Sequence, residues 1–213
     1  MNKVISFAFT AVCALLFCLV CTDNASADEE LAQATQKSAE TVSSEQKSDA
    51  TALVVYFSWS GNTRNVANSI AAQTSADVFE ITPETPYSDD YDIILDFARA
   101  EHGSNARPAI AGGVENFDRY NIVYVGFPNW WADMPMILYT FFDRYDFSGK
   151  TIAPFCTSGG SGLSDTVRTI RELEPNATVL TGLHIRSSSA SDPDKAVSEW
   201  LASLGLGKQE KTK

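Results

Sequence analysis

The sequence predicts an α/β fold, a parallel sheet with helices on both faces, and three observations carry that expectation. From Ala52 onward, apolar runs of strand length alternate with polar stretches and helix-length segments. Several of those segments repeat apolar residues at helical spacing, as Val197, Trp200, Leu201 and Leu204 do. Three loops that follow strand candidates are rich in Gly, Ser, Thr and Trp, and ligands of such sheets sit beyond the carboxyl ends of strands. Alternating strands and helices require crossovers, which cover both faces of a parallel sheet and run right-handed.

The elements follow in order. Residues 52–57 form the first, buried strand. Residues 62–73 form the first helix, with Val66, Ala67, Ile70 and Ala71 on one face. A short second strand covers 77–81, and a second helix covers 91–101. The long piece 82–119 exceeds a minimal crossover and is expected to wrap over one side of the sheet. The third strand spans 121–127. Pro135 suits the first turn of a third helix, which runs to about Tyr145 and carries Ile137, Leu138, Phe141 and Phe142. A fourth strand spans 151–156, although Pro154 is awkward inside a buried strand. A fourth helix over 163–173, a fifth strand over 177–183 and a last helix over 195–204 complete the series.

The N-terminus has a different character. Lys3 precedes an uncharged run, 4–21, and Ala25-Ser26-Ala27 is a small-x-small cleavage site. This is the layout of a secretory signal peptide over 1–27, with export to the periplasm or the outside. An uncleaved membrane anchor is the competing reading of so long a run; with cleavage no stable membrane span remains. Cys21 invites lipidation, but Val20 stands where Gly, Ala or Ser is expected. Residues 28–50 are polar and free of aromatics, a disordered linker. The domain is placed at 51–207, followed by a tail, 208–213. Of four cysteines only Cys156 lies beyond the leader, so no internal disulfide is available. The net charge is −11. Such a chain does not bind nucleic acid non-specifically, since that binding needs Lys and Arg, and it is steered toward basic partners.

The first of the three loops is Ser58-Trp59-Ser60-Gly61-Asn62-Thr63, between a strand and a helix. Hydroxyls at 58, 60 and 63 suit phosphate oxygens, Gly61 lets the backbone turn, and the helix N-terminus presents free N–H groups. A triphosphate loop would need GxxxxGK[ST], which is absent. Alone, the loop is more simply a Ser/Thr helix cap. The second loop contains Pro128, Asn129, Trp130 and Trp131. Two adjacent Trp cannot both enter one small core, so at least one should flank a flat ligand or close a lid; the alternative is that both pack on neighbouring helices. The third loop is Cys156-Thr157-Ser158-Gly159-Gly160-Ser161-Gly162, whose glycines permit close backbone approach to a ligand edge, or else make a flexible connector.

Arg64 reads as an exposed helix residue, and Cys156 as a buried, inert thiol. Glu101 and Asp133 read as solvated carboxylates. His102 and His184 lack ligand-spaced partners, and no metal site is indicated. A Gly-x-Ser-x-Gly nucleophile elbow is absent.

Together the three loops resemble the flavodoxin-like family, in the branch with a hydroxyl-x-hydroxyl-Gly-x-Thr loop, a Gly-x-Pro-x-Trp-Trp loop and a Thr-Ser-Gly-Gly-Ser loop. Pro86-Tyr87, Tyr91-Asp92 and Gly149-Lys150-Thr151 belong to the same resemblance, which extends over about 52–206. It implies a three-layer α/β/α sandwich whose five-stranded parallel sheet has the order 2-1-3-4-5. It also implies non-covalently bound flavin mononucleotide (FMN). Ser58, Ser60, Gly61, Asn62 and Thr63 would surround the phosphate. Pro128, Asn129, Trp130 and Trp131 would lie along the ribityl chain and ring, and Thr157, Ser158, Gly159 and Gly160 at the ring's other side. The implied function is transfer of electrons or hydride between a redox partner protein and small acceptors such as quinones. Two alternatives stand beside it: an NAD(P)H-dependent quinone or flavin reductase, and an exported binding module for another phosphorylated or aromatic ligand.

Overall fold

The computed structural model describes residues 51–207; the leader, linker and C-terminal tail expected from sequence lie outside the described residues. The strands are β1 (Thr51–Tyr56), β2 (Asp77–Glu80), β3 (Thr82–Pro83), β4 (Ile110–Ala111), β5 (Tyr120–Pro128), β6 (Thr151–Ser158), β7 (Thr178–Val179) and β8 (Leu183–Arg186). The α-helices are α1 (Asn62–Thr74), α2 (Tyr91–Gly103), α3 (Met136–Arg144), α4 (Thr166–Leu173) and α5 (Asp194–Ser203). The main sheet has the order β2-β1-β5-β6-β7, with β8 also on β6, and each pairing in it is parallel. In order of sequence this is 2-1-3-4-5, with the last place shared by two short strands.

Side-chain alternation along the strands divides the interior into two cores. Leu53, Val55, Val123, Val125, Ile152 and Cys156 point to one face, where Ile137, Leu138 and Phe141 of α3 and Ile170 of α4 cover them. Val54, Tyr56, Tyr124, Ala153 and Phe155 point to the other, against Val66, Ala67 and Ile70 of α1 and Val197, Trp200 and Leu201 of α5. Each fully buried Val, Leu or Ile contributes about 1.5–3 kcal/mol. Between α1 and α5, Ser69 donates to Asp194 at 2.5 Å.

The fifth strand departs from its expected span, 177–183. It is two segments, separated at Leu180, Thr181 and Gly182. Pro154 is the reason. Thr178 N–H donates to Lys150 O and Leu180 N–H to Ile152 O, so the even residues of β6 turn their backbone groups toward this edge. Pro154 shares that parity and has no N–H. The edge strand detaches opposite it, gains one residue and re-pairs at Phe155↔Leu183. β6 itself stays unbroken, and its carboxyl end reaches Ser158.

The long segment between β2 and β5 lies on the α3 side, where Ile110 and Phe117 join that core. It carries α2 and a small antiparallel ribbon, β3–β4, which the sequence reading did not resolve. Asp90 caps α2, accepting from the N–H groups of Asp92 and Ile93. At the opposite end of the sheet from the strand-end loops, Lys150 is buried and donates to the carbonyls of Phe117, Asp118 and Tyr120. Lys150 in Gly149-Lys150-Thr151 is therefore part of the scaffold.

Candidate functional site

The order of the sheet reverses between β1 and β5, the position at which parallel α/β sheets open a crevice. The loops after β1, β5 and β6 meet there. Asn129 N–H donates to Thr157 O at 2.9 Å, joining the second and third loops. Thr63 Oγ1 and Thr157 Oγ1 are 2.9 Å apart and buried, joining the first and third. In such a pair one O–H is used and the other remains able to donate.

In the first loop, Gly61 is the N-cap of α1 at φ 87°, and no side-chain cap closes the helix. Ser58 Oγ accepts from Arg64 N–H at 3.2 Å. The N–H groups of Asn62 and Thr63 lie in the first helical turn, where no intrahelical carbonyl reaches them. That turn holds no acidic residue, and Ser60 is exposed beside it. The simple Ser/Thr helix cap is thus only partly realised, and an anion finds N–H groups, a hydroxyl and the positive end of the helix dipole together. Arg64 points elsewhere, to Glu80 at 2.5 and 3.1 Å.

The two tryptophans of the second loop part company. Trp130 and Asp133 exchange N–H···O=C bonds at 2.9 and 3.0 Å around a tight turn. Trp131 and Ala132 take left-handed backbone there, at φ 55° and 63°. Trp130 turns inward, edge-on to Phe57 and Tyr87. Trp131 is 42% exposed, donates to Leu95 O at 3.1 Å and carries the Arg99 guanidinium 4.1 Å from its ring centre. With Trp59, Tyr91, Leu95 and Asn129 they line a cleft of about 200 Å³. Trp131 packs on α2, and both rings wall a cleft.

In the third loop, Thr157 and Ser158 are buried, whereas Gly159 and Gly160 are exposed. Cys156 is fully buried, its thiol is 3.2 Å from Gly162 O, and burial pushes its pKa up to about 12. Asn129 Nδ2 donates to Gly162 O at 3.0 Å and to Ser164 Oγ at 2.9 Å.

Several partners were not visible in the sequence. His184 lies 2.8 Å from Ser158 Oγ. Arg186 is exposed beside the loop tip, within 3.9 Å of where a Cβ on Gly160 would stand. Both belong to β8, whose carboxyl end lies three residues beyond the expected strand. Glu101 and Asp133 are not solvated as expected. Glu101 is buried, accepts from Tyr87 O–H, and burial raises its pKa. Asp133 accepts from Tyr139 O–H at 2.6 Å and lies 3.3 Å from His102 Nε2. Tyr87 also lines a roomier hollow of about 370 Å³, with Pro86, Ile93, Phe97 and Glu101 among others. Among the described residues no group of three His, Cys, Asp or Glu stands close enough to hold a metal ion. No helix among them is long and apolar enough to cross a membrane.

The three loops thus bring a helix N-terminus with free N–H groups close to a cleft walled by tryptophans. Comparison with known proteins identifies the fold and the family. A protein of Bacteroides eggerthii assigned as a flavoprotein is 30% identical, covers 74% of this chain and 99% of its own, and superposes with a TM-score of 0.66. One from Bacteroides uniformis is 29% identical, covering 72% and 98%, with a TM-score of 0.65. A Lactobacillus acidophilus flavoprotein, solved in complex with FMN, shares the fold at 23% identity, covering 68% and 99%, with a TM-score of 0.57. No curated protein matches the chain. The Flavodoxin family model matches residues 51–204, the whole of the α/β domain, and the chain belongs to the flavodoxin family.

Proposed function

We propose that this protein binds FMN non-covalently at the three loops and serves as a redox protein. The observation that carries the reading is the N-terminus of α1, only partly capped by Ser58, beside an aromatic cleft at the switch point of a parallel sheet. Asn62 and Thr63 N–H, with Ser58, Ser60 and Gly61, would hold the phosphate. Pro128, Asn129, Trp130 and Trp131 would flank the ring on one side, and Thr157, Ser158, Gly159 and Gly160 its edge on the other. Bound FMN would supply the electron or hydride transfer, while the protein supplies orientation and electrostatics. Gly159 and Gly160 bear no side chain, so their backbone can approach a ring edge. Arg186 sets a positive charge beside them in an otherwise acidic molecule. No side chain is assigned as acid or base.

The leader-like N-terminus supports a site of action outside the cytoplasm. The redox partner would be a basic protein or a small, quinone-like acceptor. Absorption spectra of the mature protein mixed with FMN, before and after dithionite, test the cofactor. A perturbed flavin spectrum that co-elutes with protein and bleaches on reduction is expected. Free FMN recovered entirely apart from the protein would sink the redox reading and leave the binding-module alternative. Steady oxidation of NADPH by the loaded protein would identify a reductase; reducible FMN without it, a carrier.

A further inference from the structure

Ser158, at the carboxyl end of β6, stands at the centre of three contacts. Its Oγ is 2.8 Å from His184 Nε2, and it accepts from Gly160 N–H at 3.3 Å and Gly162 N–H at 3.1 Å. A serine hydroxyl has one proton to give and two lone pairs to offer. The two glycine amides fill the lone pairs. The proton is left for His184, whose Nε2 must then be the bare nitrogen and whose Nδ1 must carry the hydrogen.

We infer that neutral His184 is the positioning residue of the 158–162 loop, and that protonating it releases the loop and weakens FMN binding. The inference rests on the FMN reading of the pocket. A protonated His184 would aim an N–H at an oxygen with no lone pair left. A glycine amide must then leave Ser158, or Ser158 must turn away from the glycines. In both cases the turn that presents Gly159 and Gly160 opens.

The surroundings of His184 reinforce this. It pairs with Cys156 across β6–β8. Its neighbour Ile185 packs in the α1–α5 core, so His184 and Arg186 share the opposite face. Burial and the Arg186 charge both hold the His184 pKa below its ordinary value. Of the other charged groups on the flanking helices, Glu174 stands at the carboxyl end of α4 beside Asp143 and Asp146, and the rest are engaged. Asp165 and Glu172 pair with Arg168, Arg171 donates to Val179 O, and on the far face Asp194 accepts from Ser69 while Lys195 pairs with Glu199.

The test compares FMN dissociation constants, from flavin fluorescence quenching between pH 5 and 8, for the wild type and His184→Gln. The glutamine carbonyl can accept from Ser158 and gains no proton. The FMN phosphate itself titrates near pH 6, so the difference between the two chains carries the test. Equal affinity is expected at pH 8. On acidification through and below the imidazole range, the wild type should lose affinity relative to the variant, approaching about tenfold per pH unit. Coincident profiles overturn the proposal. Absence of binding by both proteins at pH 8 overturns the FMN reading instead. Nitrogen-15 spectra of the ligand-free wild type decide independently. The Nδ1–H tautomer at pH 8, with faster exchange of the Gly160 and Gly162 amides relative to other loop amides on acidification, supports the proposal; an Nε2–H tautomer overturns it.

Discussion

At Gly126 the space a side chain would occupy is filled by the ring of Phe155, whose nearest atom would lie 2.1 Å from an added Cβ. Gly126↔Phe155 is also a register pair of β5 and β6, so neither backbone can move aside alone. Gly126→Ala should destabilise the domain by about 1–3 kcal/mol through overpacking, read as a lower urea midpoint. Gly61 is glycine for a different reason. Nothing lies within 4 Å of its Cβ position, but its φ is 87°, where an L side chain meets its own backbone. The Thr63–Thr157 pair offers a second test at this scale. Thr157→Val strands a buried hydroxyl and should cost about 1–3 kcal/mol in the ligand-free protein. Thr63→Val combined with it should cost clearly less than the sum of the single changes. Additive losses in a denaturation cycle would show that the two hydroxyls are not coupled.

Among the elements, α4 ends in an electrostatic conflict. Glu174 is its C-cap, beside the negative end of the helix dipole. Burial first, and then the charges of Asp146 and Asp143, raise its pKa to about 7. The folded state therefore favours the protonated acid. The associated stability is complete below the ordinary carboxylate pKa, about 4.3, and is lost as pH rises through about 7. Glu174→Gln should gain stability relative to the wild type across that window and keep a constant lead above it. Urea unfolding between pH 4.5 and 8 checks this, and parallel profiles would contradict it. The Trp130–Asp133 turn is strained as well. Two consecutive non-glycine residues in left-handed backbone cost about 1–2 kcal/mol each. The Trp131–Leu95 hydrogen bond and the Arg99 stack hold them in place. Trp131→Ala should accordingly loosen the second loop and raise the FMN dissociation constant while leaving the fold intact, as circular dichroism would verify.

On the scale of the whole molecule, the ligand and the fold are linked. The three loops that would hold FMN leave different strands and touch one another through Thr63, Thr157 and Asn129. A ligand that binds only this assembled arrangement stabilises it by mass action. FMN at a hundredfold its dissociation constant should raise the unfolding free energy by about 2.7 kcal/mol, and an unchanged urea midpoint would refute binding to the folded state. The net charge of −11 acts on the same scale. Electron delivery to a basic partner should slow as salt rises, whereas transfer to a neutral quinone should not.

Much of this was legible in the sequence, and the division has a physical cause. Strands buried on both faces and helices with one apolar stripe write their periodicity into consecutive residues. β1, α1, β5, α3 and α5 consequently stand within a residue or so of their expected bounds. The three loops were legible because Gly61, Trp130-Trp131 and Gly159-Gly160 are unusual residues in unusual company. What tertiary structure alone decided depends on residues distant in sequence. Pro154 lacks an N–H on the side of the edge strand, and so splits that strand and carries its end to Arg186. His184 looked isolated because its partner, Ser158, is 26 positions away. Glu101 and Asp133 looked solvated because nothing local announces the hydroxyls of Tyr87 and Tyr139. Local sequence determined the layers and the loops, since periodicity and turn chemistry are short-range. Which polar groups meet at the ends of the strands was decided by parallel pairing, which joins residues that the chain itself keeps far apart.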